Sequence, residues 1–244
     1  MGTSLDGSLD AKVRRAVAHF WRMRELQAAK QASTGRADQG LRSAVTGGAQ
    51  MDGFIALLRR LITDAGVSKD QIFTKKRFLE LPGFFRPTKE WDLLVVANER
   101  LLAAIELKSQ VGPSFGNNFN SRTEEAMGSA LDLWTAFRER AFNHAVLPWL
   151  GYMFLLEDCP QSQKPVKVRE PHFEVFPEFH DASYVRRYEL FCRRLVLERH
   201  YMASALLISD KDNGRRGAYT EPADDLTFQS FAKSLEAHLG AYAR

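Results

Sequence analysis

Apolar residues recur at helical spacing along several stretches of the chain. Over residues 9–31, Val13, Val17, Phe20 and Met23 fall on one face, and the spacing predicts an amphipathic helix. Met51, Phe54, Ile55, Leu58, Leu61 and Ile62 predict a second, ended by Gly66. Between them, residues 33–50 are rich in Gly, Ser, Thr and Ala and read as a loose connection. Residues 71–81 form a strand candidate closed by Pro82-Gly83, and a turn-rich stretch follows over 82–89. Two apolar runs, 91–96 and 101–108, are separated by a short polar turn and read as a β-hairpin.

A loop rich in Gly, Asn and Ser, SQVGPSFGNNFNSR, follows the hairpin. Ser121 or Thr123 is then the expected cap of a helix whose apolar face runs Met127, Ala130, Leu131, Trp134 and Phe137, with Glu124 and Glu125 complementing its dipole. Residues 150–156 are a wholly apolar strand, 160–182 a Pro-punctuated irregular segment, and 183–199 a helix. A strand over 203–209 and a closing helix over 226–242 complete the pattern. From Met51 the order is α-β-β-β-α-β. It predicts an α/β fold with a central mixed sheet flanked by helices, because the long helix before the fourth strand permits a parallel crossover.

Composition narrows the class. The 244 residues are 45% hydrophobic and 26% charged, with 34 Lys plus Arg against 30 Asp plus Glu, which excludes a disordered or low-complexity chain. Apolar runs are too short for a membrane-spanning helix. The first fifteen residues lack the apolar centre of a secretory signal and the myristoylation pattern after Gly2. Cys159 and Cys192 read as reduced thiols, so a cytoplasmic location is expected. Arg supplies 23 of the 34 bases, and its planar fork suits phosphate and guanine edges, which admits nucleic acid as a partner.

The chemistry is equally narrowed. No phosphate loop, dinucleotide fingerprint, nucleophile elbow or HxxxH pair is present. An all-oxygen site on the hairpin remains. Glu106 and Lys108 share a strand face by alternation. If Asn98-Glu99-Arg100 is the turn, opposed residues add to 198, as 92 and 106 do, and Asp92 faces Glu106. A two-residue turn would slip the register and send the carboxylates to opposite faces. Two facing carboxylates call for a divalent cation, Mg²⁺ or Mn²⁺, with the carbonyl of Leu107 as a third ligand. Lys108 would neutralise developing charge and help to deprotonate an attacking water, which describes phosphodiester hydrolysis.

Asp92 followed by Glu106-x-Lys108 resembles the PD-(D/E)xK nuclease signature, with Trp91 where a proline is common. The stretch from PGFFRPTKEWDLLVV through LLAAIELKSQVGPSFGNNFNSRTEEAMGSALDLW resembles the XhoI-type type II restriction endonucleases, most strongly over residues 82–134. That resemblance implies a restriction-endonuclease-like core (51–157) with an N-terminal helical arm (1–50) and a C-terminal extension (158–244), all one domain. It also implies a Mg²⁺-dependent homodimer cutting both strands of duplex DNA within CTCGAG to leave 5′ overhangs, alongside a DNA methyltransferase of the same specificity. Asp92 and Glu106 match the metal-binding acids and Lys108 the catalytic lysine. A further acid is common in such folds, with Asp52, Glu80 and Glu90 as candidates. For specificity, the loop after the catalytic strand offers Asn117, Asn118, Asn120 and Arg122 to base edges, while Arg86 and Lys89 are expected on phosphates. Phe84, Phe85 and Trp134 read as core. The rival readings are a repair or junction nuclease of the same fold, a non-catalytic DNA-binding module, and a structural or partner-binding protein whose hairpin acids make surface ion pairs.

Overall fold

The computed structural model describes residues 5–34, 49–143 and 146–242. The reading of the N-terminal leader and most of the loose connection over 33–50 lie outside the described residues. Helix α1 spans Leu5–Thr34 and α2 spans Asp52–Asp64. Strands follow at Ile72–Phe73 (β1), Glu80–Pro82 (β2), Thr88–Glu90 (β3), Leu93–Ala97 (β4) and Arg100–Gln110 (β5). Then come α3 (Phe115–Arg138), β6 (Trp149–Glu157), α4 (Tyr184–Leu197), β7 (Ala203–Ser209) and α5 (Phe228–Gly240). No helix among the described residues is long and apolar enough to cross a membrane.

The central sheet is mixed, with strand order β1-β4-β5-β6-β7. β1, β4 and β5 pair antiparallel, while β5, β6 and β7 pair parallel. The crossovers through α3 and α4 step the same way across the sheet, so a common hand puts both helices on one face. There Ala130, Leu133, Tyr188, Phe191 and Leu195 cover Leu94, Ala104, Tyr152, Phe154 and Leu206. On the other face Val17, Phe20, Phe54, Leu58, Phe228 and Leu235, from α1, α2 and α5, cover Leu93, Ile105, Met153 and Leu207.

Three expectations are corrected. The strand candidate at 71–81 is split. Only Ile72 and Phe73 join the central sheet, while Glu80–Pro82 pairs with β3 in a separate two-stranded ribbon. The polar run Thr74-Lys75-Lys76-Arg77 has nothing to bury on a sheet face and turns the chain between them. Secondly, the Gly- and Asn-rich loop is mostly helix: α3 starts at Phe115, so neither Ser121 nor Thr123 caps it and Glu124 and Glu125 lie well inside. Low helix propensity is overridden by tertiary contacts. Phe115 stacks on Tyr184 with centroids 5.6 Å apart, and Phe119 meets Tyr188 edge-on at 5.1 Å. Thirdly, Phe84 and Phe85 are 55% and 68% exposed rather than core.

The hairpin turn also differs. Val96 pairs with Leu101 and Ala97 with Arg100, leaving Asn98 and Glu99 as a two-residue turn at φ +50° and +58°. Both central residues at positive φ suit the twist of a tight hairpin. Beyond it the register shifts, with Val95 opposite Ala103, Leu94 opposite Ala104 and Leu93 opposite Ile105. Leu102 is therefore the extra residue of a β-bulge. Leu102 and Ala103, neighbours in sequence, both pack into the cluster beneath α1, α2 and α5. The carbonyl of Leu102 accepts a hydrogen bond from His238 Nε2 of α5 at 3.1 Å.

Candidate active site

The parallel strands end beneath the start of α3, the end of a sheet where α/β folds place ligands. Here the register places Asp92, one residue beyond the Leu93–Ile105 pair, beside Glu106. Its main-chain N–H donates to the Ile105 carbonyl at 3.2 Å. Its Oδ2 accepts the N–H of Leu107 at 2.7 Å, which fixes the carboxylate across the strand. Glu106 and Lys108 project to the α3 side, whereas the Leu107 side chain packs into the opposite cluster. The facing acids expected from sequence are thus brought together, although the turn is the two-residue one, because the bulge restores the register.

Glu106 is 2% exposed, and a carboxylate so buried needs partners. It has two ammonium groups. Lys108 Nζ lies 2.5 Å from Oε1 and Lys89 Nζ lies 2.7 Å from Oε2. Lys89, expected on phosphates, reaches into the site from β3. It also donates to the carbonyl of Glu90 and sits 4.8 Å from the centroid of the Trp91 ring.

The charges interlock. Burial and then repulsion from Glu106 push the Asp92 carboxyl up to about 6. Burial acts on Glu106 in the same sense, but Lys108 and Lys89 outweigh it and hold that carboxyl below its ordinary value. Burial opposes the charge of Lys108, yet Glu106 and Asp92 raise its affinity for the proton. The site therefore holds an ionised Glu106, a charged Lys108 and an Asp92 whose ionisation is impeded by its neighbour. Relief of that repulsion by a hard cation fits an all-oxygen donor set, and the residues suit Mg²⁺ or Mn²⁺. Among the described residues no group of three or more His, Cys, Asp or Glu gathers into a larger metal cluster.

The further acids do not join the pair. Asp52 opens α2, where burial raises its carboxyl and the neighbouring His19 acts in the opposite sense. Glu80 and Glu90 are partners across the ribbon, and Glu90 lies 3.8 Å from Lys76. The acid the sequence reading missed as a site residue is Glu125, whose Oε2 lies 3.9 Å from Lys108 Nζ. Its signal was the spacing Phe115, Phe119, Ala126, Ala130, which extends the helix back far enough to aim Glu125 at the strand end.

Asn117, Asn118, Asn120 and Arg122 lie on the first turns of α3 rather than in a loop, with Asn117 and Asn120 exposed. Arg122 Nη1 pairs with Glu125 Oε2 at 2.7 Å, and its Nε is buried without a partner. Arg86 is tied down: its Nε donates to Asp132 Oδ2 at 2.7 Å and its Nη2 to Ser129 at 3.2 Å. Both thiols are free, Cys192 buried and Cys159 partly so.

Residues 30–221 match the family model described as restriction endonuclease XhoI. The chain is 60% identical over 211 residues to the type II restriction enzyme BstVI of Geobacillus stearothermophilus, covering 84% of this chain and 94% of that protein. It is 47% identical over 190 residues to the type II restriction enzyme XhoI of Xanthomonas vasicola, covering 78% of this chain and 76% of that one. Against the type II restriction enzyme AbrI of Azospirillum brasilense it is 50% identical over 164 residues, 67% of this chain and 73% of the relative. No solved structure matches the chain.

Proposed function

The chain belongs to the XhoI restriction endonuclease family and is a type II restriction endonuclease, and from that premise we propose that it is a Mg²⁺-dependent homodimer cutting both strands of duplex DNA at the palindrome CTCGAG, leaving 5′ overhangs. The fold is read as a single restriction-endonuclease-like domain in which β7, from the C-terminal extension, completes the sheet. A cytoplasmic location and a DNA methyltransferase of matching specificity belong to the same proposal.

Asp92, Glu106 and the main-chain carbonyl of Leu107 are the residues proposed to hold Mg²⁺. When bound, the ion supplies Lewis-acid polarisation of the scissile phosphate and acidifies water. The chain's own part is positional and electrostatic. Lys108, kept protonated by its carboxylate neighbours, offers its ammonium to the charge that develops on the phosphoryl oxygens. Lys89 adds a second positive charge from the ribbon. Asn117, Asn118, Asn120 and Arg122 are proposed to face base edges from the start of α3, and Arg86 to contact the backbone with the part of its guanidinium left exposed.

One observation carries this reading: Asp92, Glu106 and Lys108 converge at the end of β5 in a chain of this family. Digestion of a sequenced plasmid with Mg²⁺, followed by end-mapping, tests it. Discrete fragments ending within CTCGAG are expected; cutting governed by DNA shape, without a common sequence, would refute it. Lys108→Ala should abolish cutting while leaving salt-sensitive, sequence-selective binding in place. A Lys108→Ala protein that cuts at the parental rate would remove the mechanism.

A further inference from the structure

A cation cannot settle between Asp92 and Glu106 while both Glu106 oxygens are taken by ammonium groups, 2.5 Å away for Lys108 and 2.7 Å for Lys89. At least one lysine must yield. The two differ in what else surrounds them. Lys89 has the Glu90 carbonyl and the Trp91 ring beside it, and neither is an anion. Lys108 has a second carboxylate 3.9 Å away, Glu125 Oε2. That carboxylate is held by Arg122, 2.7 Å away on the same Oε2, is half exposed, and stands on a helix anchored by buried Ala126 and Ala130. A flexible four-carbon stem lets the ammonium cross such a gap without moving the strand.

We propose that Glu125 is a positioning residue that receives the Lys108 ammonium when a divalent cation displaces it from Glu106. This deepens the metal-nuclease reading and rests on it. The exchange leaves every charge partnered: the cation takes Asp92 and Glu106, and Lys108 passes to Glu125 without leaving the site. Without Glu125, Lys108 would have to remain on Glu106 and compete with the cation, or leave for solvent. Arg122 then has a structural task, holding Glu125 within reach of the lysine.

The test is a double-mutant cycle on Mn²⁺ binding, measured by isothermal titration calorimetry without DNA. The proteins are the parent, Glu125→Gln, Lys108→Met and the double variant. Glu125→Gln should weaken Mn²⁺ binding roughly five- to tenfold, a coupling typical of residues in contact. Lys108→Met should tighten it by removing the competitor. In the Lys108→Met background, Glu125→Gln should change nothing. Parental affinity in Glu125→Gln would overturn the proposal. So would an equal loss in both backgrounds, which would make Glu125 a ligand in its own right. Asp92→Asn separates this from the underlying reading: if it binds Mn²⁺ as the parent does, the metal site itself is wrong, whatever the cycle shows.

Discussion

Replacing Asp132 by alanine should loosen the ribbon that delivers Lys89 to the active site, at a cost that can be worked from the contacts. Asp132 lies on α3 with its side chain 3% exposed. Its Oδ1 accepts the main-chain N–H groups of Phe84 and Phe85 at 2.6 and 2.8 Å, and its Oδ2 accepts Arg86 Nε at 2.7 Å. One buried carboxylate thus ties the β2–β3 loop to the helix. Each hydrogen bond to a charged group contributes about 1.5–3 kcal/mol. The Arg86 side chain is 44% exposed, so its share is discounted for solvent screening. The two main-chain bonds alone give a loss of roughly 3–6 kcal/mol, a large part of a total stability of about 5–15 kcal/mol. Asp132→Asn keeps an acceptor for the two N–H groups and should cost about half as much.

The pH dependence gives that prediction a sign. Burial alone would raise the Asp132 carboxyl, but the bonds from Phe85, Arg86 and Phe84 outweigh it and hold it below 3.8. An acid whose folded value is depressed contributes its full stability above the unfolded value, and loses it as pH falls through the folded one. Urea unfolding of parent and Asp132→Ala should therefore show the full gap at pH 7 and a narrowing gap below 3.8. A gap under about 1 kcal/mol at pH 7 would refute the accounting of the hydrogen bonds. A gap that persists unchanged in acid would show that the carboxylate charge is not its source.

Two further outcomes can be checked directly. Glu99 holds the second turn position at φ +58°, where glycine carries no steric cost, so Glu99→Gly should raise stability by about 0.5–1 kcal/mol in thermal unfolding; a lower melting temperature would argue against the two-residue turn. If Arg122 reads a guanine, Arg122→Ala should weaken cognate binding by about 1–3 kcal/mol and relax one base position, whereas equal weakening on every DNA sequence would assign it to phosphate.

What the sequence disclosed follows from what each element buries. Helices α1, α2 and α4 and strands β6 and β7 were legible because their apolar faces meet the sheet or its covering helices. The start of α3 was not, because Gly116, Asn117, Asn118 and Asn120 favour turns. Their helical state depends on Phe115 and Phe119 meeting Tyr184, Tyr188 and Phe191, residues far along the chain. Glu125 was hidden for the same reason, since its aim at Lys108 depends on where that helix begins. The pairing of Lys89 with Glu106 was hidden by the ribbon, which is absent from the periodicity of so short a pair of strands.

The hairpin shows why the facing of Asp92 and Glu106 could follow from an incorrect turn. Asp92 and Glu106 differ by an even number of positions. A regular hairpin closed by two residues pairs residues that differ by an odd number, as Ala97 and Arg100 do. Without an interruption such a hairpin would set Asp92 against Ile105 and send Glu106 to the far face. One unpaired residue somewhere in the hairpin is therefore a requirement of the site. A three-residue turn would supply it at the tip; here Leu102 supplies it within β5. The run Leu101-Leu102-Ala103-Ala104-Ile105 is apolar throughout, so no alternation marks the bulge in the sequence. Only packing distinguishes the two solutions. Placed at Leu102, the extra residue buries a leucine side chain under α5 and offers its carbonyl to His238, contacts that a residue added at the solvent-exposed tip would forgo.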